Sequence, residues 1–198
     1  MIKENLLIQY GAKIVEFSKG DYLFEKGSSP KYYYQIINGG VKMNYYNQSG
    51  NEFIQGIFGK NRSFGEPPLL IDTKYPANAI ALNSLSVYLL KKEAFETLLL
   101  NNNEVHYTFT KMISKRLYFK ATIANGISSN SAEEAILTLL NYLKNDVHQH
   151  SLPFNLKIDF TRKNIAGLLG LSIESTIRTI KKMEAKKTVK IINQKIYY

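Results

Sequence analysis

The sequence predicts an α+β protein in three parts: an antiparallel β-barrel or sandwich, a long helix, and a C-terminal helix-turn-helix with a small hairpin. Three observations predict this order. Eight of the 12 glycines lie between Gly20 and Gly65, among short strand-like segments. Residues 104–125 contain neither glycine nor proline. Positive charge is concentrated in residues 161–198, while a hydrophobic content of 44% supports a sizeable core.

The β part is predicted as short strands separated by turns rich in glycine, asparagine and serine. The predicted strands are residues 14–17, 22–24, 32–37, 41–46 and 52–58. Their lengths, and the nearly regular spacing of the turns, are typical of a closed antiparallel barrel or sandwich. After residue 90 the pattern changes to that of helices, beginning with a short helix over residues 91–100.

The long helix is predicted over residues 104–125, which span about 33 Å at ~1.5 Å per residue. Its apolar stripe, at spacings of three, four and seven residues, consists of Val105, Phe109, Met112, Phe119 and Ile123. A narrow stripe of this kind is typical of a helix with a partner. It could pack on the chain's own barrel, but a helix of this length extends beyond such a barrel. We therefore expect the helix to form a homodimer.

A hinge of small and polar residues is expected at residues 126–130. Ser131 and Glu134 fit a capping box that opens a further helix. The apolar face of that helix carries Ile136, Leu139, Leu140 and Leu143. Residues 145–153 are predicted to be a loop.

Residues 161–183 match a helix-turn-helix. Thr161 and Ser172 are predicted N-caps of its two helices. Gly170 lies at the turn, where the backbone conformation disfavours side chains. Ala166 is small where the two helices must approach closely. The inward-facing positions are Ile165, Leu168, Leu169, Thr176, Ile180 and Met183.

A hairpin, or wing, is predicted from residues 189–192 and 196–198, joined by a turn at Asn193 and Gln194. Residues 161–198 contain nine cationic and two anionic side chains, and so hold most of the net charge of +10. Such an excess at one end is typical of a nucleic-acid-binding module. An ordinary helical hairpin with a solvated basic face is the alternative. The agreement of caps, turn glycine, charge and wing favours DNA binding.

The N-terminal part of the second helix is the part that a major groove would contact. Arg178 can pair with guanine O6 and N7, and Glu174 can accept from cytosine N4. The following lysines would contact phosphates. The predicted DNA-binding residues are Thr161, Arg162, Ser172, Ile173, Glu174, Ser175, Arg178, Lys181 and Lys182, with Lys186 and Lys187 as further phosphate contacts.

The composition argues against most other classes. Because there is no cysteine, disulfide scaffolds, thiolate zinc sites, iron–sulfur clusters and cysteine nucleophiles are excluded. The three histidines, His106, His148 and His150, lie outside the β part, which argues against a cupin-type metalloenzyme. No phosphate-binding loop or catalytic set is evident, so we expect no enzyme, metal or cofactor. No membrane-length apolar run or signal peptide occurs, which predicts a cytoplasmic protein without a membrane partner.

Nearly the whole chain, from about residue 14 to residue 198, resembles the Crp/Fnr family of bacterial transcription regulators. The segments that carry the resemblance are GDYLFEKG at 20–27, INGGVK at 37–42, FGE at 64–66 and GLSIESTIR at 170–178. The resemblance implies a jelly-roll-like β-roll of the cyclic-nucleotide-binding type, a long dimerisation helix and a winged helix. We expect these as a sensor-like domain at 1–100, helix and hinge at 101–128, and a DNA-binding domain at 129–198.

The resemblance also implies a dimeric, sequence-specific transcription regulator whose partners are an inverted repeat of double-stranded DNA, a second copy of the chain and RNA polymerase. Glu174 and Arg178 match the family's base-contacting glutamate and arginine. The other base-contacting position, often arginine, is Ile173 here, which removes a guanine contact worth about 1–3 kcal/mol. Ile173 could contact a thymine methyl group or be a tolerated substitution. The alternative function is a ligand-binding or protein-interaction module of the same fold without DNA binding.

In cyclic-nucleotide-binding members of the family, a Gly-Glu pair is followed about ten residues later by arginine and then serine or threonine. Gly65 and Glu66 match the pair, but the later positions are Pro76 and Ala77, which offer a phosphate neither cation nor hydroxyl. Two further prolines, at 67 and 68, remove amide donors from the turn. We therefore expect no binding of cAMP or cGMP.

Other positions of the expected effector pocket leave its ligand open. The long-helix positions that contact the base in cAMP-responsive members fall near Lys120 and Ala121, which match poorly. Lys74 is close enough in sequence to supply a substitute cation for another acidic effector. Glu66 could instead satisfy buried backbone amides of its turn. The effector therefore stays unidentified at this point.

Overall fold

The computed structural model describes residues 1–48, 50–128, 131–147 and 152–198, which form two compact units, Met1–Ser114 and Lys115–Tyr198. The α-helices are α1 (Glu4–Gln9), α2 (Glu66–Leu70), α3 (Lys92–Asn101), α4 (Asn103–Ser128), α5 (Ala132–Tyr142), α6 (Arg162–Leu169) and α7 (Ile173–Ala185). A π-helix over Leu143–Val147 follows α5, so the loop predicted at residues 145–153 begins later than expected. The strands are β1 (Lys13–Phe17), β2 (Tyr22–Phe24), β3 (Tyr32–Asn38), β4 (Val41–Tyr46), β5 (Glu52–Phe58), β6 (Ser63–Phe64), β7 (Asn78–Ala81), β8 (Leu85–Lys91), β9 (Lys157–Ile158), β10 (Lys190–Ile192) and β11 (Lys195–Tyr197). The predicted α+β fold class is confirmed, and so are the individually predicted strands.

The first unit contains two antiparallel sheets in its described part, with strand orders β1-β8-β3-β6 and β2-β7-β4-β5. Alternate residues of both sheets point inward, as the two-residue period of a strand requires. The side chains that fill the space between the sheets include Phe24, Tyr34, Ile36, Phe64 and Val87. The β part is thus a jelly-roll-like β-roll whose interior is an aromatic and aliphatic core.

A second core of the first unit lies among α1, α3, the start of α4, and the roll. The Tyr33 and Phe95 rings stack with their centroids 4.3 Å apart, and the Phe109 ring meets Phe95 edge-on at 5.4 Å. Leu7 and Leu98 are fully buried beside them. This core holds the first turns of α4 against the unit that contains them.

The long helix is present as α4, but the apolar stripe expected to face a partner packs against the chain itself. Val105, Phe109 and Met112 belong to the core of the first unit. In the second unit, the Phe119 ring lies 4.3 Å from that of Tyr142, and Ile123 is buried. Neighbouring elements of the same chain thus bury Phe109 and Ile123 and leave the other three residues half-buried, and the assignment of this stripe to a dimer contact stays a prediction.

Helix α4 continues through Gly126 to Ser128, so the first three residues of the hinge expected at 126–130 are helical. A Cβ atom on Gly126 would be 2.9 Å from Oγ1 of Thr138, so the glycine permits α5 to pack closely on α4. Residues 129 and 130 lie outside the described residues. The serine half of the predicted capping box is confirmed, since Oγ of Ser131 accepts a hydrogen bond from the amide of Glu134 at 3.3 Å.

The second unit packs α5, α6 and α7 together beside a sheet of order β10-β11-β9. Its buried side chains include Ile136, Leu139, Ile165, Leu169 and Ile180. Strand β9 was not predicted, because two residues give too short a pattern to detect; it is defined by pairing of Ile158 with Ile196. Across the described ranges, no helix is long and apolar enough to cross a membrane.

Candidate nucleic-acid interface

The helix-turn-helix consists of α6 and α7, and both helices begin at the predicted caps. Oγ1 of Thr161 accepts a hydrogen bond from the amide of Asn164, and Oγ of Ser172 accepts one from the amide of Ser175, each at 3.1 Å. Each bond satisfies an amide that has no partner inside its helix. The starting points of α6 and α7 are therefore determined by local sequence.

The turn between the helices depends on Gly170, whose backbone is left-handed with φ of 66° and ψ of 24°. The amides of Gly170 and Leu171 both donate to the carbonyl of Ala166, which closes the C-terminal end of α6. A residue with a Cβ atom resists this conformation, whereas glycine adopts it freely. The chain can therefore reverse direction within two residues and pack α7 against α6.

The two sides of α7 differ sharply in exposure. Its buried side carries Thr176, Thr179, Ile180 and Met183. At 100° per residue, the opposite side is centred on Glu174, Arg178 and Lys181, all of which are exposed. Within the described chain, neither Glu174 nor Arg178 has a hydrogen bond or ion pair that would occupy it. Both ends of this charged face are thus available to a ligand.

Two of the predicted basic contacts have protein partners instead. The half-buried Arg162 donates from Nη1 to the carbonyl of Gln194 in the wing turn. Nζ of Lys186 donates to both carboxylate oxygens of Glu133 at 2.9 Å. These pairs join residues 32 and 53 positions apart, which sequence spacing could not reveal. Lys181 and Lys182 remain exposed.

The predicted wing is present as the antiparallel pair β10 and β11, with Ile191 opposite Ile196. Asn193 and Gln194 form its turn, and both have left-handed backbones, with φ of 47° and 63°. The contact from Arg162 reaches this turn. Arg162 thus links the start of α6 to the tip of the wing, a positioning role that was not predicted.

The roll places part of the expected effector pocket around Gly65. This residue has φ of 76° and precedes α2, which Glu66 begins. The Phe24 and Tyr75 rings stack at 3.6 Å between centroids, and a Cβ atom on Gly65 would lie 3.0 Å from the Phe24 ring and 3.2 Å from that of Tyr75. The glycine is thus required by aromatic packing as well as by its backbone conformation. Helix α2 itself was not predicted.

The interior polar groups of this region are Glu66 and Tyr75, which are 1% and 3% exposed. Burial raises the pKa of Tyr75 well above its usual range, and the neighbouring Tyr34 and Glu66 raise that pKa further. No described residue accepts or donates a hydrogen bond at the buried Tyr75 hydroxyl. The phenol of Tyr75 is therefore neutral and lies close enough to Glu66 to feel the charge of its carboxylate.

The remaining residues of the expected effector pocket differ in their exposure and are spread over both units. Ala77 is fully buried in the same core as Phe24 and Tyr75, while Pro76 and Lys74 are exposed. Lys120 and Ala121 are exposed on α4 and belong to the second unit. Within the first unit, the structure thus brings Gly65, Glu66 and Ala77 to one aromatic core.

A metal site receives no support from the described residues, among which no group of three or more His, Asp and Glu side chains is placed to hold an ion. His106 is exposed on α4. His148 and His150, which were considered as possible ligands, lie outside the described residues.

Comparison with known proteins gives matches to both units. Residues 14–102 match the cyclic nucleotide-binding domain family. The transcriptional activator protein Anr of Pseudomonas protegens is 24% identical over 173 residues, which are 86% of this chain and 70% of that protein. The c-di-GMP-responsive regulator CLP of Xanthomonas campestris matches with a TM-score of 0.76 and 19% identity over 98% of both chains. A mutant of CooA from Carboxydothermus hydrogenoformans matches with a TM-score of 0.81 and 15% identity, over 100% of this chain and 86% of the other.

The unpartnered hydroxyl of Tyr75 leads to a stability prediction. Replacing Tyr75 with Phe should raise the free energy of unfolding by about 1 kcal/mol, because the fold no longer has to desolvate a hydroxyl without a partner. Urea unfolding monitored by circular dichroism measures this change. Tyr34→Phe is the matched control. The Tyr34 hydroxyl donates to the carbonyl of Leu23 at 3.4 Å, so its removal should not raise the free energy of unfolding. A loss of more than ~1 kcal/mol in Y75F would show that the hydroxyl has a stabilising partner.

Proposed function

We propose that the chain is a Crp/Fnr-type protein and a dimeric, sequence-specific DNA-binding transcription regulator that does not respond to cAMP, on the basis of its match to the cyclic nucleotide-binding domain family and its similarity to Anr and CLP. We place it in the cytoplasm, where its DNA is, and assign it regulation rather than catalysis. Anr is a transcriptional activator, CLP is a global regulator, and the fold is common to this chain and CLP. A contact with RNA polymerase is part of the proposal and rests on the family alone.

The exposed face of α7 is the observation that carries the proposal. Glu174 and Arg178 lie one turn apart at the N-terminal end of a capped helix, opposite its buried side. A helix of this kind fits the major groove of B-DNA, where Arg178 can donate two hydrogen bonds to guanine and Glu174 can accept one from cytosine. The pair predicts that each half-site contains G·C base pairs.

Phosphate contacts come from the basic C-terminal region. Lys181 and Lys182 are exposed beside the base-contacting face, and they add charge without sequence preference. The N-termini of α6 and α7 can also present backbone amides to phosphates. We leave Lys186 out of this set because its ammonium group is paired with Glu133. Arg162 acts through the wing turn that it holds.

The dimer is proposed to form along a different face of α4 from the stripe first considered. Three large side chains of α4 are exposed: Tyr107 by 71%, Leu117 by 69% and Tyr118 by 64%. Ser114 follows Tyr107 by seven residues, and Leu117 follows Ser114 by three residues. These two spacings are those of a coiled-coil seam. A second copy of the chain would bury this seam. Two α7 helices could then bind an inverted repeat with half-sites about 34 Å apart.

The effector remains unidentified, and the geometry supports excluding cAMP. A cyclic phosphate needs a cation and hydroxyl where this chain has Pro76 and the buried Ala77. Close packing of Phe24 and Tyr75 over Gly65 also occupies space beside the turn. The exposed Lys74 is still a candidate cation for an acidic effector of another kind.

The first prediction concerns base contact by Arg178. The DNA site is obtained by letting the purified protein select from a random library. Arg178→Ala should then weaken binding to that site by about 10- to 150-fold, equivalent to ~1–3 kcal/mol, because a bidentate guanine contact is lost. Fluorescence anisotropy measures the affinity.

Arg62→Ala is the control for R178A, since Arg62 is an exposed arginine of the first unit and the charge change is identical. Equal affinities of R178A and R62A for the selected site would contradict the assigned role. If the wild-type protein selects no DNA even at low salt, the chain is instead a ligand-binding or protein-interaction module of the same fold.

The second prediction concerns the dimer. Light scattering after size exclusion should give the wild-type protein twice its chain mass of 22.6 kDa. Leu117→Glu should shift it to monomer, because the change places charge in the proposed seam. Leu100→Glu, at a leucine on α3 that is 75% exposed, should leave the dimer intact. A wild-type monomer, or a dimer that tolerates L117E, would argue against this seam.

The third prediction is that cAMP does not bind. Titration calorimetry with cAMP up to about 1 mM should show only heat of dilution, because the phosphate would lose charge-assisted hydrogen bonds worth about 1.5–3 kcal/mol. A regulator from the family that is known to bind cAMP serves as the positive control. A dissociation constant in the low micromolar range would overturn the prediction.

A further inference from the structure

Two isoleucines on α7 are exposed in a way that the packing of the domain does not explain. Ile173 and Ile177 are 39% and 41% exposed and lie four residues apart, so they share one edge of the helix. The buried side of α7 is formed without them, by Thr176, Thr179, Ile180 and Met183. Both isoleucines therefore show apolar surface to solvent on the same edge.

Helix stability does not explain these residues either. Isoleucine is a weaker helix former than alanine, leucine or lysine, because its branched Cβ loses rotamer freedom in a helix. At partly exposed positions a charged or straight-chain residue would favour the helix more. Neither the core of the domain nor local helix propensity therefore requires isoleucine at these two positions.

The surroundings of the pair identify the chemistry of that partner. Each isoleucine is followed directly by a proposed base-contacting residue, Glu174 after Ile173 and Arg178 after Ile177. Lys181 and Lys182 are exposed one turn further along. A negatively charged partner that presents apolar groups beside hydrogen-bonding groups fits this edge. In the major groove of DNA, the apolar group on the base edges is the C5 methyl of thymine.

We propose that Ile173 and Ile177 determine specificity by packing against thymine methyl groups next to the G·C base pairs contacted by Glu174 and Arg178. This inference rests on the proposed DNA-binding function. It predicts that each half-site contains thymines at fixed positions beside its G·C pairs. It also gives Ile173 a function of its own at a position where arginine would instead select guanine.

Replacing thymine by uracil tests the proposal directly, because uracil pairs identically with adenine and lacks only the methyl group. Each thymine of the site selected by the protein is changed in turn to deoxyuridine, and affinities are measured by fluorescence anisotropy. At one or more contacted thymines, uracil should weaken binding by about fourfold. That factor corresponds to ~0.8 kcal/mol for one buried methyl group.

The matched variants are Ile173→Ala and Ile177→Ala, which shorten the side chain and keep a good helix former. Each should weaken binding to the thymine site and remove the sensitivity to uracil at the base pair that it contacts. Ile8→Ala is the control, since Ile8 is an isoleucine on α1 that is 52% exposed and lies in the first unit. I8A should keep the full response to uracil. Circular dichroism verifies that each variant folds.

The outcomes separate this inference from the proposed function. If no DNA is selected, the proposed function itself fails. If a site is selected and uracil is tolerated at every thymine, DNA binding stands and the role of the isoleucines is wrong. If I173A and I177A weaken binding equally to thymine and uracil sites, the residues support the helix rather than contact methyl groups, which also overturns the inference.

Discussion

The left-handed backbone at Gly170 is the constraint on which the C-terminal unit depends. Two amides converge on the carbonyl of Ala166, so α6 ends at Leu169, and α7 starts at Ile173 after its cap, Ser172. With α7 starting at Ile173, Ile180 and Met183 face the interior. Arg178 precedes them by two and five residues, and residues at these spacings lie on different faces of a helix, so Arg178 faces outward. The charged face is therefore a consequence of the turn. Shifting the start of α7 by one residue would rotate that face by about 100°.

A different constraint governs the roll, where aromatic packing determines what the interior can accept. Gly65 permits the Phe24 and Tyr75 rings to stack over it, and Ala77 is buried in the same core. A residue large enough to hold a phosphate would have to displace that core. The roll thus keeps Glu66 buried close to this core, where its charge raises the pKa of Tyr75.

Local signals were sufficient for much of the fold. Caps at Thr161 and Ser172, the glycine at the turn, and the alternation of short strands each depend on a few neighbouring residues, so the sequence predicts them correctly. What depends on distant neighbours was missed. The partners of Arg162 and Lys186 come from remote segments, and the covered face of α4 depends on α1, α3 and α5. Periodicity identifies an apolar stripe, whereas tertiary packing decides whether the chain itself or a partner covers it.

The central claim is that α7 enters the major groove at two symmetric half-sites, and chemical footprinting of the bound DNA tests it most directly. Dimethyl sulfate methylates guanine N7 in the major groove and adenine N3 in the minor groove. If α7 enters the major groove, guanine N7 is protected in two clusters about one helical turn, ~34 Å, apart, and adenine N3 between them stays reactive. Protection of adenine N3 without protection of guanine N7 would place the protein in the minor groove and contradict binding by α7 in the major groove.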